Sequence, residues 1–89
     1  MVDKQVVVEA VKLVSGDRHN DYGPAIESFT RTGKAMGALL HLDRDLTPEE
    51  VAMFFIVHKL TRESYKSKRD NRVDIVGYTL LLDEIAETP

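Results

Sequence analysis

The segment from Gly16 to Gly23 combines side chains that suit nucleotide binding. It holds two glycines, two aspartates and an asparagine, with almost no apolar residue, which is the composition of a connecting loop. The planar guanidinium of Arg18 matches a phosphate group, and the ring and hydroxyl of Tyr22 suit stacking on a base. Because binding groups often lie in such loops, we predict that Arg18, His19 and Tyr22 contact a ligand. The alternative is a solvated loop without function.

A second set of polar residues lies among apolar neighbours near the C-terminus. Asp74 has valine on one side and isoleucine on the other, and a carboxylate removed from water needs a cation or several hydrogen-bond donors. Helical spacing places Asn71, Asp74 and Tyr78 on one face. Lys59 and Arg62 are three residues apart on the preceding predicted helix. Antiparallel packing of the two helices would bring Lys59 or Arg62 close to Asp74.

Two interpretations of this set remain open. In the first, Asp74 and Arg62 form a partly buried ion pair that fixes the register of two helices. In the second, Asp74 lies at the floor of a pocket and orients a base or another part of a ligand, whose phosphate groups reach other donors. The two are compatible, because an ion pair that stabilises a fold can also line a cleft.

The sequence offers no pattern typical of a metal centre. It contains no cysteine, and His19, His41 and His58 are scattered, which argues against zinc. We interpret Asp17 and Asp21 as residues that form a turn rather than as metal ligands. We interpret the other carboxylates as solvated or helix-capping residues. We therefore predict no metal ligand and no cofactor, and the sequence assigns no catalytic residue.

Helices must position these residues. Apolar spacings of three and four residues indicate helices from Lys4 to Val14, ended by Gly16, and from Pro24 to Leu40. Thr47, Pro48 and Glu50 form the start of a third helix with a capping box, and Asp70 precedes a fourth that runs from Asn71 to about Ala86. Gly33 and Gly37 lie one turn apart in the second helix and should let another helix approach closely.

These elements predict an all-α fold, a compact bundle of about four helices in a single domain over residues 1–89. Hydrophobic residues make up 43% of the chain and charged residues 30%, a globular mixture. Seven successive apolar residues, Val51 to Val57, occupy the middle of the third helix, and a short chain can hardly cover all its faces. We therefore expect a homo-oligomer to complete the bundle.

Charge and hydropathy limit the partners. The formal net charge of −3 argues against binding of a long nucleic acid, which requires a basic excess. No apolar run approaches the roughly 18 residues of a membrane span, and the first residues do not resemble a signal peptide. We expect a cytoplasmic protein whose partner is a small ligand rather than a membrane.

Four motifs, in this order, resemble a family of small phage-encoded helical domains of unknown function. They are Gly16-Asp17-Arg18, Asp21-Tyr22-Gly23, Lys59-x-x-Arg62 and Asp70-Asn71-x-x-Asp74-x-x-Gly77-Tyr78. In outline this family is similar to the all-helical MazG-type nucleotide pyrophosphohydrolases and to phage domains associated with nucleotide modification. The resemblance implies an oligomeric, nucleotide-handling protein from a phage or prophage, acting in the cytoplasm of the host cell.

The chain departs from the MazG type at the magnesium ligands. That type holds the metal with Glu-x-x-Glu on one helix and Glu-x-x-Asp on the next. Here the third helix has no such pair, and the last offers only Asn71-x-x-Asp74. Attack on a phosphoanhydride relies on metal to offset the developing charge, so the departure favours binding over hydrolysis.

The first hypothesis is therefore an oligomeric protein that binds a nucleotide or cyclic nucleotide and sequesters a signal of host defence. Arg18, Lys59 and Arg62 would meet phosphate, Tyr22 and Tyr78 would pack near the base, and Asn71 and Asp74 would orient it. The alternatives are a magnesium-dependent nucleotide pyrophosphohydrolase, which would need Mg²⁺ as cofactor, and a structural or protein-interaction module.

Overall fold

Helices make up about three quarters of the chain in the computed structural model, which describes residues 1–89 except for the side chain of Asp17. Five α-helices and one π-helical turn follow in order: α1 (Gln5–Lys12), the π turn (Leu13–Asp17), α2 (Arg18–Tyr22), α3 (Ala25–Leu39), α4 (Pro48–Tyr65) and α5 (Arg69–Ala86). Residues 1–89 contain no strand, so the predicted all-α fold is confirmed. Among the described residues, no helix has both the length and the apolar character that crossing a membrane requires.

Helices α4 and α5 form an antiparallel hairpin, and α1, the π turn and α3 pack on it. The core lies where α3 meets this hairpin, and its largest fully buried side chains are Phe29 and Val51. Around them pack Ala25, Leu46, Ala52, Leu81 and Ile85. Since burial of apolar side chains is the main driving force of folding, this cluster is the part of the molecule that fixes α3 on the hairpin.

The predicted start of the third helix is confirmed in detail. The Thr47 hydroxyl oxygen accepts a hydrogen bond from the Glu50 amide at 3.1 Å, and the Thr47 amide donates to the Glu50 carboxylate at 2.9 Å. Arg44 donates two hydrogen bonds to the same carboxylate, at 2.7 and 2.9 Å. The Arg44 guanidinium, together with the Thr47 amide, lowers the pKa of Glu50 to about 2.

The predicted loop from Gly16 to Gly23 is wrong, because the chain stays helical there. After Lys12 the helix widens into the π turn and continues as α2. The glycine with positive φ, at 76°, is Gly23 rather than Gly16, so the glycine that ends a helix lies seven residues later than predicted. Packing outweighs the local turn composition: Val14 packs against the core, and Arg18 lies over aromatic rings of the interior.

Gly33 and Gly37 allow a close approach, but of a loop rather than a helix. A Cβ atom on Gly33 would collide with the Leu46 carbonyl group, and one on Gly37 would lie 2.6 Å from the Arg44 carbonyl oxygen. The Leu46 amide donates to the Gly33 carbonyl at 3.1 Å. The segment between α3 and α4 therefore lies directly on the α3 backbone.

We expect Gly33→Ala to lower the free energy of unfolding by about 1–3 kcal/mol, the usual cost of overpacking a close contact. The matched control is Gly16→Ala, where the added methyl group has no atom within 4 Å apart from adjacent residues and the backbone of its own helix. In helical backbone this control should raise stability by about 0.5–1 kcal/mol. Urea unfolding followed by circular dichroism measures both effects, and equal losses for the two variants would contradict the explanation.

Candidate functional site

Asp74 lines two clefts that together contain most of the residues predicted to bind a ligand. The first, which we call the aromatic cleft, has a volume of about 290 Å³ and is lined by Arg18, Tyr22, Asp74 and Tyr78, with Leu13, Val14, Asp21, Gly77 and Leu81. The second, the basic cleft, has a volume of about 640 Å³ and is lined by Lys59, Arg62, Lys66, Lys68 and Asp74, with His58, Thr61, Tyr65, Asp70 and Asn71. Asp74 is the residue that the two linings share.

Arg18 lies among three aromatic rings in the aromatic cleft. Its guanidinium carbon is 5.4 Å from the ring centroid of Tyr22, 5.2 Å from that of Phe29 and 5.3 Å from that of Tyr78. Such contacts are favourable because the face of an aromatic ring carries a negative electrostatic potential, which attracts a cation. Among the described side chains, no carboxylate lies within 4.0 Å of this guanidinium in an ion pair. The rings thus hold a cation in the wall of the cleft.

The tyrosine of α5 is held by a chain of aromatic contacts that reaches the core. The Phe55 and Tyr78 rings stack with centroids 5.1 Å apart, and Phe55 meets Phe29 edge to face at 5.5 Å. Phe29 is fully buried. Because buried aromatic pairs have preferred geometries, these contacts fix the orientation of the Tyr78 ring beside Arg18.

The expected ion pair between α4 and α5 is present, with Lys59 as the partner. The Lys59 ammonium lies 2.8 Å from the Asp74 carboxylate, and the two side chains are 17% and 25% exposed. The interpretation that Asp74 pairs with Arg62 is therefore wrong. Lys59 is one helical turn before Glu63, which also faces α5, whereas Arg62 is exposed on the wall of the basic cleft.

Glu63 is the residue of this region that sequence reasoning missed. Its carboxylate accepts hydrogen bonds from the Ser67 hydroxyl at 2.8 Å, the Lys68 amide at 2.8 Å, the Asn71 amide group at 3.1 Å and Arg72 at 2.7 Å. The Lys68 amide contributes most to lowering the pKa of Glu63, which falls to about 2. The one signal in the sequence is an isolated glutamate just before a basic turn.

This cluster changes the interpretation of Asn71 and of the start of α5. Asn71 is 6% exposed, and its amide nitrogen also lies 3.5 Å from the Lys66 carbonyl oxygen, so its donors stabilise the turn. Asp70 does not cap α5, because the helix begins at Arg69 after Lys68. The Glu63 carboxylate, from the preceding helix, accepts the Lys68 amide hydrogen at that point.

The remaining predicted residue, His19, is exposed and lines neither cleft. The structure therefore brings Arg18, Tyr22 and Tyr78 together with Asp74 in the aromatic cleft. It brings Lys59, Arg62 and Asn71 together with Asp74 in the basic cleft. Among the described residues, no group of three or more histidine, aspartate or glutamate side chains is placed to hold a metal ion.

Comparison with known proteins identifies the family of this chain. Residues 5–86 match the family described as Domain of unknown function (DUF6378), and the chain belongs to this family. It is similar to the Gene 55 protein of Mycobacterium phage L5, with 32% identity over 81 residues, which cover 90% of this chain and 51% of the relative. It is also similar to the Gene 55 protein of Mycobacterium phage D29, with 26% identity over 89 residues, which cover 99% of this chain and 58% of the relative.

These relatives confirm the connection with phage proteins that the four motifs indicated. The chain spans about half the length of the curated relatives it matches. No solved structure matches it.

The ion pair can be tested by substitution. We expect Asp74→Ala to lower the free energy of unfolding by about 1–3 kcal/mol, because it leaves the mostly buried Lys59 ammonium without its partner. The double variant Lys59→Met/Asp74→Leu should lose less, since it replaces the pair by apolar groups of similar volume. Urea unfolding measures both. A double variant that loses as much as Asp74→Ala would show that the pair is not the cause.

The low pKa of Glu63 predicts a dependence of stability on acid pH. The folded chain binds a proton at this carboxyl less readily than the unfolded chain, so its contribution is present above the ordinary value of 4.5 and is lost as pH falls toward 2. Glu63→Gln should lower the melting temperature at neutral pH and flatten its fall over this acid range. Glu27→Gln is the control, because Glu27 is exposed and has no described side-chain partner. Melting curves that fall equally steeply in acid for wild type and Glu63→Gln would refute the assignment.

Proposed function

We propose that this member of the DUF6378 family is a phage protein that binds a small nucleotide or cyclic nucleotide across the two clefts. The observation that carries the proposal is the position of Asp74, which lines both the aromatic and the basic cleft. A nucleotide has an aromatic part and an anionic part separated by a sugar, and the two clefts offer surfaces of these two kinds side by side.

The aromatic cleft supplies contacts that suit the base. Tyr22 is 58% exposed, so most of its ring is available for stacking, and Tyr78 has its orientation fixed by Phe55. Asp74 offers carboxylate oxygens that accept hydrogen bonds from the amino or imino groups of a base. Arg18 lies between the rings and can approach a phosphate or a carbonyl oxygen.

The basic cleft supplies contacts that suit phosphate. Four cationic side chains line it: Lys59, Arg62, Lys66 and Lys68. Lys59 is already paired with Asp74, whereas Arg62, Lys66 and Lys68 are exposed. Arginine binds phosphate with two parallel hydrogen bonds, and lysine adds a mobile point charge. A local excess of cations of this kind is what a protein with net negative charge needs in order to bind an anion.

Two contacts favour binding over hydrolysis. Asp74 faces the Lys59 ammonium at 2.8 Å, so its charge is already balanced without a metal ion. Asn71 occupies the position where a carboxylate would stand in a Glu-x-x-Asp pair, and its amide donates to Glu63. Both contacts support binding without hydrolysis, and the biological role we propose is capture of a nucleotide signal of host defence in the cytoplasm of the infected cell.

A thermal-shift screen against mononucleotides, dinucleotides and cyclic oligonucleotides, with and without Mg²⁺, tests the proposal. We expect a rise of several degrees that does not require Mg²⁺, with the ligand recovered intact by chromatography. Conversion of the ligand only in the presence of Mg²⁺ would assign a MazG-like pyrophosphohydrolase instead. The absence of any shift would leave a structural or protein-binding role.

Paired arginine variants locate the site once a ligand is found. Arg62→Ala should weaken binding by about tenfold or more, since loss of a charge-assisted hydrogen bond costs roughly 1.5–3 kcal/mol. Arg31→Ala removes the same charge from the exposed face of α3, outside both clefts, and should leave affinity nearly unchanged. Titration calorimetry measures both, and equal losses would move the site away from the basic cleft.

A further inference from the structure

An arginine and a carboxylate of the aromatic cleft keep hydrogen-bonding capacity that a ligand can use. Arg18 contacts aromatic rings but forms no ion pair or side-chain hydrogen bond with another described residue. The Lys59 ammonium approaches Oδ2 of Asp74, whereas Oδ1 accepts no hydrogen bond from the described residues. No buried side-chain nitrogen or oxygen among the described residues lacks a partner, so these groups are accessible from the cleft.

We propose that the base bound in this cleft is guanine. Asp74 accepts hydrogen bonds from the N1–H and the N2 amino group of the base, and Arg18 donates to its O6 and N7 atoms. This inference rests on the proposed function, which it deepens by naming the base. Asp74 and Arg18 are then the residues that determine specificity.

Guanine is the base whose polar edges match both side chains. An ionised carboxylate only accepts hydrogen bonds, and its two oxygens suit two neighbouring N–H groups. Among the common bases, guanine alone carries two such groups side by side, at N1 and N2. Its other edge offers O6 and N7 as neighbouring acceptors, for which arginine is the usual bidentate partner. Adenine and cytosine offer one amino group beside a ring acceptor, and uracil offers one N–H between two carbonyl groups, so none of them satisfies both residues.

Lys59 holds the Asp74 carboxylate in place for this contact. The two groups are 2.8 Å apart and mostly buried, which restricts the rotation of the carboxylate. Because a carboxylate has about four lone-pair sites, Oδ2 can accept a hydrogen bond from a base while it contacts Lys59. Asp21 also lines the aromatic cleft, but it is exposed on α2, where water competes for its hydrogen bonds. We therefore assign recognition of the base to Asp74.

The size of the aromatic cleft agrees with the binding of a single base. Its volume of about 290 Å³ is close to the lower limit of roughly 300 Å³ for sites that enclose small ligands. The sugar and phosphate groups therefore lie outside it. Asp74 also lines the basic cleft, so cationic side chains are present next to the site of the base. One cleft selects the base, and the other binds the anionic part without regard to the base.

Nucleotides that differ only in the base test the inference on the natural chain. Titration calorimetry would compare GMP with IMP, which lacks the N2 amino group, with 7-deaza-GMP, which lacks N7, and with AMP. We expect IMP and 7-deaza-GMP each to bind about tenfold more weakly than GMP, because each loses one hydrogen bond to a charged group. AMP, which mismatches both residues, should bind about a hundredfold more weakly. Symmetric cyclic dinucleotides with guanine, hypoxanthine or adenine provide a second series.

The outcomes separate this inference from the proposed function. Similar affinities for all the bases would refute the choice of guanine and leave nucleotide binding intact. Equal affinities for GMP and 7-deaza-GMP would refute the contact between Arg18 and N7. Failure of every nucleotide in both series to bind would refute the proposed function and this inference together.

A change of specificity tests the role of Asp74 directly. Asp74→Asn keeps one acceptor oxygen and gains an amide donor, so it should lose affinity for GMP and gain affinity for XMP, in which a C2 carbonyl replaces the amino group. The matched control is Asp83→Asn, the same change at an exposed aspartate of α5 outside both clefts, which should still prefer GMP.

Circular dichroism establishes whether the Asp74→Asn variant is folded. A folded variant that still prefers GMP to XMP would overturn the assignment of Asp74, as would a loss of the preference in the Asp83→Asn control. The comparison of GMP with IMP on the natural chain does not depend on the folding of any variant, and it tests the choice of guanine if Asp74→Asn does not fold.

Discussion

The hydrogen bonds to the Glu63 carboxylate are the constraint on which the rest of the structure depends. They join the end of α4 to the start of α5 through the Lys68 amide and the Asn71 side chain, and so fix the register of the hairpin. With Glu63 opposite Asn71, the next turn brings Lys59 to Asp74, and the turn after that brings Phe55 to Tyr78. The carboxylate stays charged throughout the neutral range because its pKa is about 2.

The π turn allows two successive turns of one continuous helix, those that carry Val14 and Arg18, to face the interior. It inserts extra backbone between Lys12 and Arg18, and π turns of this kind frequently occur beside functional sites. Val14 can then pack on the core while Arg18 lies over the rings of Phe29 and Tyr78. One wall of the aromatic cleft is therefore formed by α2, although the composition of this segment is typical of a loop.

Whether a feature could be predicted depends on how far apart in the sequence the residues that determine it lie. The capping box at Thr47 and Glu50 was predicted correctly, because it involves neighbours in sequence. The approach of Lys59 to Asp74 followed from helical spacing and antiparallel packing, but the choice between Lys59 and Arg62 did not, because it depends on the rotation of α4. The helical state of residues 15–22 and the role of Glu63 were missed, since tertiary contacts decide both.

The two clefts and the exposed apolar residues of α4 occupy different surfaces of the same hairpin. Lys59 and Glu63 of α4 face α5 and make polar contacts with it, and most apolar residues of α4 lie on other sides of the helix. Phe55 turns to the aromatic chain, while Met53, Phe54, Val57 and Leu60 remain at the surface. The nearly uniform apolar sequence of α4 is therefore divided between the core, with its aromatic contacts, and an exposed face.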